Sequence, residues 1–282
     1  MPSTSGVVAS ANRSLEIAWL TTVAADNPFG WWKSNDTGTA ERIANSGSSA
    51  INLNTQTMWF YNSITGTQDW QETGIVNYSG NKAIYTDKGT TPNDYPCIFL
   101  GGNQYLTEPF GRDINNANAF TMECVIKLVD NTSTFTYGRQ EANALGWGML
   151  ITQTVGGNFD VTAWVGNIFD IGIAGDTGVA IDYNKWYHIV YTYESTKSRV
   201  YINGTLVTEK TFAPYTWPQY YPPFPYRNFI GLISSYPYPS NPDGGYFDPT
   251  INAYFDELVM YKSTLSYTQV AEHAFASGVL SQ

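Results

Sequence analysis

The stretch KWYHIVYTYESTKSRVYINGTLVTEK, Lys185–Lys210, decides the fold class of this chain. Its first half consists almost wholly of aromatic and β-branched residues, which favour extended backbone. In an extended chain one side carries Trp186, His188, Val190 and Thr192, and the other carries Tyr187, Ile189, Tyr191 and Tyr193. Such period-two alternation of β-branched and aromatic residues predicts a β-strand.

The same stretch continues into two further strands. Glu194–Ser198 is a polar connection, and Val200–Ile202 is the second strand. Asn203-Gly204 fits a two-residue type I′ turn, because both central positions of that turn need a positive φ. Leu206 and Val207 open the return strand. Lys185–Lys210 therefore predicts a three-stranded antiparallel meander.

The rest of the chain is divided into short strand-like segments by Gly, Pro and polar turns. In Ala119–Leu128 the alternation is clearest, since Phe120, Met122, Cys124, Ile126 and Leu128 all fall on one side. Other strand candidates are Phe29–Lys33, Thr57–Tyr61, Ile75–Asn77, Ala83–Tyr85, Cys97–Leu100, Met149–Thr152, Phe159–Val165, Ile168–Ile173, Asn228–Ser234 and Tyr254–Tyr261.

Helices are predicted only near the two ends. Ser14 can cap a helix over Ser14–Ala25, which Asn27-Pro28 ends. Ser266 and Gln269 form a capping box that opens a second helix to Ala276, and Gly278 terminates it. Many short strands with helices at the ends predict an all-β fold, a two-sheet antiparallel sandwich of the jelly-roll type. We divide the chain into an N-terminal arm and short helix, 1–27, and a jelly-roll domain, 28–282.

Charge and composition exclude several classes of partner. The chain has 282 residues and a net charge of −10, with only 14 Lys and Arg, whereas nucleic-acid binding needs clustered cations. No run of 18 apolar residues exists, so we expect no membrane insertion. Residues 1–14 lack the pattern of a secretory signal. Cys97 and Cys124 are predicted to be buried thiols, since two cysteines make no disulfide framework.

Five segments resemble, in order, the strands of laminin-G-like, concanavalin A-like jelly-roll domains. Phe120–Lys127 (FTMECVIK) resembles the family strand "FTIEAWVK", and Lys185–Tyr193 resembles its "W-x-H-V-A-x-T-Y" strand. The other matches are Arg199–Gly204, Phe229–Gly231 and Phe255–Ser266. Together they cover about residues 28–276. The resemblance implies the same sandwich.

The front of the chain is similar to a segment that opens such domains in bacteriophage virion proteins. Ala18–Gly38 resembles that lead-in but departs from it at Ser34–Asp36. The resemblance implies a virion protein, assembled in the host cytoplasm and released outside, with other virion proteins and copies of itself as partners. It would decorate a capsid or form part of a fibre or tail, and contact a host surface polysaccharide.

Catalysis is not expected. In the glucanase branch of this family two carboxylates alternate on one strand, and in retaining glycosidases they stand about 5–5.5 Å apart. Here Glu123 stands alone among Thr, Met and Cys, and Asp256 and Glu257 are adjacent, so we expect them to point to opposite faces. The two histidines are far apart in sequence, and His188 is interpreted as a structural strand histidine. We predict no enzyme.

A structural Ca²⁺ ion is the one cofactor that the resemblance implies. In many such sandwiches an Asp of the last strand, here Asp256, meets backbone carbonyls of an early loop, here Asn45–Ser48 with Asn45 and Gly47 as ligands. One carboxylate with several carbonyls suits calcium, which takes six to eight oxygens. The alternative is that Asp256 bonds to neighbouring backbone without an ion.

A loop rich in Pro and aromatic residues, Ala213–Tyr226, is the candidate binding surface. Prolines restrict the loop, and exposed aromatic rings suit both sugar rings and protein interfaces. We expect glycan or partner contact at Tyr215, Trp217, Tyr220, Tyr221, Phe224, Tyr226, Tyr236 and Tyr238. The alternatives are contact with a neighbouring subunit and local cover for the sandwich.

Three functions remain open at this stage. The first is a non-enzymatic virion structural or adhesion protein, and the second is a stand-alone carbohydrate-binding module of a bacterial surface protein. A glycoside hydrolase is the third, and the missing carboxylate pair disfavours it.

Overall fold

The computed structural model describes residues 17–33, 42–43, 47, 58–62, 84–85, 97–102, 104–108, 118–133, 135–140, 146–165, 172–173, 176–214, 228–230, 232–233, 246–247 and 251–281. Helix α1 covers residues 17–25, and helix α2 covers Tyr267–Ala276 before a short 3₁₀ turn, Val279–Ser281. No helix within these ranges is long and apolar enough to cross a membrane.

Nineteen strands are found in the described residues. The first ten are β1 (Gly30–Lys33), β2 (Arg42–Ile43), β3 (Met58–Asn62), β4 (Ile84–Tyr85), β5 (Ile98–Gly102), β6 (Gln104–Glu108), β7 (Ala119–Leu128), β8 (Phe135–Gln140), β9 (Gly146–Gln153) and β10 (Asn158–Val165). The others are β11 (Gly172–Ile173), β12 (Asp176–Ala180), β13 (Tyr187–Glu194), β14 (Lys197–Ile202), β15 (Thr205–Thr211), β16 (Asn228–Ile230), β17 (Leu232–Ile233), β18 (Tyr246–Phe247) and β19 (Ile251–Tyr261).

The strands form two large antiparallel sheets. Sheet A has the order β15-β14-β13-β7-β19-β5-β4, and β1 also pairs with β19. Sheet B has the order β11-β10-β9-β8-β16-β6-β3-β2, and β12 also pairs with β10. Strands β17 and β18 form a separate pair. The predicted all-β, two-sheet sandwich is therefore confirmed.

The predicted meander is β13, β14 and β15 of sheet A. Asn203 and Gly204 have φ values of 50° and 77°, as a type I′ turn requires. The alternation also holds, because Tyr187, Ile189, Tyr191 and Tyr193 face the space between the sheets, whereas Trp186 and Val190 face the other side of sheet A.

An apolar inner core fills the space between the sheets. From β7 it receives all five side chains predicted to share a face, Phe120, Met122, Cys124, Ile126 and Leu128. From sheet B it receives Phe135, Trp147, Met149, Ile151, Phe159, Val161, Ala163 and Val165. Cys97 and Cys124 are buried thiols that form no disulfide, as predicted.

A second core lies on the far side of sheet A, beneath the two helices. We call it the outer core; it includes Trp19, Val23, Trp31, Val125, Trp186, Val190, Val259, Tyr261, Leu265 and Val270. The helices match their predictions within the described ranges. Asn27 has a φ of 53° just after α1, and Ser266 and Gln269 form the capping box of α2.

Some strands were missing from the sequence-based predictions. Strand β8 contains Gly138, at a φ of 148°, and β12 contains Gly178, at a φ of 70°, and glycine inside a strand weakens the strand pattern. The predicted strand Ile75–Asn77 lies outside the described residues.

Candidate functional site

The structure brings together three ionisable residues that lie far apart in the sequence. Glu123 on β7 lies 65 residues from His188 on β13 and 150 residues from His273 on α2. His188 Nε2 is 2.6 Å from Glu123 Oε1, and His273 Nδ1 is 2.8 Å from the same oxygen. All three side chains are fully buried. We call Glu123, His188 and His273 the buried charge cluster.

Strand alternation places this cluster in the outer core. Met122 and Cys124 face the inner core, so Glu123 between them faces the other side of sheet A. In the register of β7 and β13, His188 is opposite Val125 and Val190 is opposite Glu123. The histidine therefore reaches Glu123 diagonally across the two strands, a distance that a long side chain can span.

Groups from α1, from the residue just after it and from β19 complete the surroundings of the cluster. Asp26, just after α1, places Oδ2 2.9 Å from His273 Nε2 and accepts a hydrogen bond from Gln269 Nε2 at 2.6 Å. Tyr261 donates to Glu123 Oε2 at 3.0 Å. Trp19 meets both imidazole rings edge-on, with centroids 6.0 and 5.9 Å away. The cluster thus links β7, β13 and β19 to both helices.

His273 carries a positive charge in this arrangement. Both of its ring nitrogens face carboxylates, so both must donate a proton. Burial opposes the charge, but Glu123 and Asp26 raise the pKa of His273 to about 9. Its place in the last turn of α2 also favours a cation, because the C-terminal end of a helix is the negative end.

Glu123 is correspondingly held in its ionised form. Burial alone would raise its pKa, but the charge of His273 and the hydrogen bonds from both histidines lower the pKa of Glu123 well below its usual value. Because the carboxylate is ionised, His188 Nε2 carries the proton between them. His188 Nδ1 is buried and has no hydrogen-bond partner within the described structure.

The cluster fastens the two helices to sheet A, and its Glu123 carboxylate is out of reach of a substrate. A glycosidase carboxylate must reach the substrate, and its partner carboxylate stands nearby. Glu123 has no exposed surface and is occupied by His188, His273 and Tyr261. Of the residues just described, Asp26 reaches solvent, with a side chain that is 18% exposed.

Sequence reasoning interpreted His188 as a structural histidine and did not join it to Glu123 or His273. His188 is indeed buried and bonded to a neighbouring strand. The available signal was Glu123 itself: a carboxylate in a strand whose other face is wholly apolar must find donors if it is buried. The two histidines were the natural candidates.

Asp256 and Glu257 do not follow simple alternation. The pairing of β19 with β7 shifts between Phe255, opposite Ile126, and Leu258, opposite Cys124. Phe255 and Leu258 both face the inner core, so a β-bulge holds the two acidic residues between them. Our expectation that they point to opposite faces assumed an unbroken strand, and the bulge removes that assumption. The Trp31 indole donates to Glu257.

The predicted calcium ligands are only partly described. Asp256 is buried, and Asn45 lies outside the described residues. Gly47 lies against the Phe29–Gly30 peptide, since a Cβ at Gly47 would be 2.4 Å from the Phe29 carbonyl oxygen. Gly30 pairs with Met260, four residues or roughly 13 Å along β19 from Asp256. Asp256 and Gly47 therefore lie towards opposite ends of β1, and a shared ion does not follow from this register.

The aromatic part of the predicted binding loop is not among the described residues. Its aromatic residues Tyr215, Trp217, Tyr220, Tyr221, Phe224 and Tyr226, together with Tyr236 and Tyr238, lie outside the described residues. Within the described ranges, no group of three or more His, Cys, Asp or Glu is arranged to hold a metal ion.

Solved structures share this architecture at low sequence identity. Domain 4 of AbnA, a GH43 extracellular arabinanase from Geobacillus stearothermophilus, solved in complex with arabinotriose, is 18% identical with a TM-score of 0.57; the match covers 88% of this chain and 98% of that domain. The botulinum neurotoxin serotype D ligand-binding domain, solved with N-acetylneuraminic acid, is 11% identical with a TM-score of 0.54 over 90% of this chain.

The receptor-binding domain of the botulinum neurotoxin C/D mosaic serotype is 12% identical, with a TM-score of 0.54 over 89% of this chain. This chain spans about half the length of these two neurotoxin domains, 52% and 51%. At these identities the likeness shows a common fold. No curated protein matches the chain.

A family model identifies that fold from the sequence itself. The model of the laminin-G type described as "Concanavalin A-like lectin/glucanases superfamily" matches residues 100–271, which is more than half of the chain. The match includes β7, the meander and the first half of α2, and it ends two residues before His273. The chain therefore belongs to the concanavalin A-like lectin/glucanases superfamily.

Proposed function

We propose that this chain is a non-catalytic carbohydrate-binding domain. The observation that carries the proposal is that the chain matches a lectin and glucanase family over most of its length while Glu123, the carboxylate of β7, is buried and fully bonded. A member of this family whose β7 carboxylate is buried and bonded to other side chains is better suited to the lectin role than to hydrolysis through that carboxylate. The saccharide-bound domain 4 of AbnA supports the same function.

Calorimetry and a hydrolysis assay test this proposal together. The full chain is titrated with arabinotriose, maltotriose and cellotriose, which are neutral, and with sialyllactose, which is anionic. The same mixtures are then assayed for released reducing sugar. We expect binding of at least one saccharide without any hydrolysis. Release of reducing sugar by the purified protein would disprove the non-catalytic assignment, and failure to bind any saccharide on a wider glycan array would disprove the binding assignment.

We also propose a virion as the setting of this domain, with a bacterial surface protein as the alternative. The supporting observation is the phage-type lead-in Ala18–Gly38, whose first part forms α1 and β1 against sheet A. A virion component is expected to assemble with copies of itself. Sedimentation and electron microscopy of the purified chain test this, and a monomer at micromolar concentration would favour the surface-protein module.

We propose Asp256 as one ligand of a structural Ca²⁺ ion. A buried carboxylate beside a bulge supports this, because a bulge turns backbone carbonyls out of the sheet. Metal analysis of protein purified without chelator should find about one Ca²⁺ per chain. An Asp256→Asn variant should lose it, and wild-type protein without Ca²⁺ would contradict the proposal.

A further inference from the structure

An open groove lies between α1 and α2 on the outer side of the molecule. Its volume is about 480 Å³, within the range of small-ligand sites. Ala18 and Thr22 line it from α1, and Tyr267, Thr268, Glu272 and Phe275 line it from α2. Beneath the helices lies the outer core, so the groove stands on a fixed support.

Two exposed aromatic rings border the groove. Tyr267 is 60% exposed and Phe275 is 66% exposed, and they are the aromatic residues among the large exposed apolar side chains of the described structure. They are eight residues apart on α2, or about 12 Å along the helix axis. The Tyr267 ring touches the Tyr201 ring, with centroids 6.4 Å apart. An exposed helix face normally carries polar residues, so the exposed parts of the two rings offer apolar surface to a ligand.

Free polar groups lie between and beside these rings. The Tyr267 hydroxyl, the Thr268 hydroxyl and the Glu272 carboxylate have no hydrogen-bond or ion-pair partner within the described residues, and Thr22 donates to the Ala18 carbonyl and keeps its lone pairs. An apolar protein surface over the groove would bury the Glu272 charge without a partner, which is unfavourable. A ligand rich in hydroxyl groups would satisfy it.

The charge of the groove further limits the class of ligand that it can bind. Among the residues that the structure describes, Glu272 is the charged residue of the lining, and neither Lys nor Arg lines the groove. The whole chain carries a net charge of −10. Both features disfavour an anionic ligand, whereas the hydroxyl groups of a neutral sugar can donate to a carboxylate at no electrostatic cost.

We propose that the groove between α1 and α2 binds a neutral oligosaccharide. Tyr267 and Phe275 stack against the apolar faces of two sugar rings, and Glu272 and Thr268 bond to the sugar hydroxyls between them. The inference rests on the proposed carbohydrate-binding function and gives that function a site made of other residues than the aromatic loop Ala213–Tyr226.

Calorimetric titration of full-length variants with arabinotriose, maltotriose and cellotriose tests the site. Tyr267→Ala, Phe275→Ala and Glu272→Gln change the groove. Val155→Ala and Leu206→Ala are matched controls, because both residues are exposed and apolar but lie outside the two helices, Val155 in the turn between β9 and β10 and Leu206 on β15. Trp217→Ala tests the loop. We expect each aromatic groove variant to weaken the best neutral ligand about tenfold or more, and each control to stay within about twofold.

The possible results distinguish failure of this site from failure of the proposed function. If wild type binds a trisaccharide and the Tyr267→Ala, Phe275→Ala double variant binds it equally well, the groove is not the site, although carbohydrate binding stands. If Trp217→Ala is the only variant that loses saccharide binding, the site lies in the loop and the inference is overturned. Failure of wild type to bind any saccharide overturns both. A wild-type dimer that Phe275→Ala dissociates would make the groove a protein interface instead. Near-ultraviolet circular dichroism confirms that the variants are folded.

Discussion

Both faces of sheet A carry fully buried side chains but are built on different principles. The inner face meets sheet B through a core of mainly apolar side chains, to which five alternate residues of β7 contribute. The outer face meets α1 and α2 through apolar contacts that surround Glu123, His188 and His273. One strand, β7, therefore takes part in two cores with different requirements.

The difference concerns how replaceable the contacts are. Apolar side chains of similar volume can substitute for one another in a core. An ionised carboxylate in a buried site cannot lose its donors without leaving an uncompensated charge. The inner core should therefore tolerate conservative changes, whereas the outer core depends on particular side chains and on their protonation.

The strongest test of this contrast compares adjacent residues of β7. Glu123→Ala removes the acceptor shared by both buried histidines and should destabilise the chain by about 3–5 kcal/mol. Met122→Leu changes the neighbouring inner-core residue at nearly constant volume and should cost less than about 1.5 kcal/mol. Urea unfolding followed by tryptophan fluorescence gives both values. Equal losses would mean that the outer core has no special dependence on charge.

The protonation of His273 should make the outer core sensitive to alkaline pH. The folded-state pKa of His273 is raised to about 9 from 6.5, so its contribution is fully present below pH 6.5 and is lost as the pH rises through 9. The expected loss is about 3 kcal/mol. Unfolding in urea between pH 6 and 9.5 measures it, as the difference between wild type and a His273→Gln variant, because burial also raises the pKa of Cys124, which ionises on unfolding in this range.

His273→Gln is the control for the pH experiment. The variant should be less stable than wild type at pH 7, and it should lose less stability than wild type between pH 7 and 9.5. Met122→Leu should keep the full pH dependence of wild type. A loss in His273→Gln as large as that of wild type would assign the effect to another group, such as the buried Cys124 thiol.

A smaller effect should separate backbone strain from helix contact at two glycines. Gly204 and Gly178 both have a positive φ, 77° and 70°, so alanine at either position is strained by about 1 kcal/mol or more. A Cβ at Gly204 would also lie 3.0 Å from the Cβ of Ala274 on α2, whereas a Cβ at Gly178 would meet nothing within 4 Å. Gly204→Ala should therefore cost more than Gly178→Ala in thermal unfolding, and equal costs would deny close contact between the hairpin and α2.

The elements that the sequence predicts well are those that local patterns specify. The alternation in Ala119–Leu128 gives the bounds of β7 and its inner face, Asn203-Gly204 gives the hairpin turn, and Ser266 with Gln269 gives the start of α2. Each of these depends on residues that are close in sequence, so turn chemistry, capping and periodicity suffice.

The outer core could not be predicted in the same way. Asp26 and Gln269 are 243 residues apart, and only the fold brings α1 and α2 together. The bulge at Asp256 and Glu257 is also invisible to a rule of strict alternation, because the extra residue is defined by the partner strand β7. Local reasoning therefore finds the strands and misses the charges that fasten the helices to them.

His273 follows every strand of sheet A along the chain, and this order has a consequence for biosynthesis. Sheet A can pair its strands once β19 has left the ribosome, but Glu123 and His188 still lack His273 at that point. The outer face of the sheet then exposes apolar surface together with an unneutralised carboxylate, and such surface is prone to aggregation until it is covered. We expect α2 to dock on this face only after the strands of sheet A have paired.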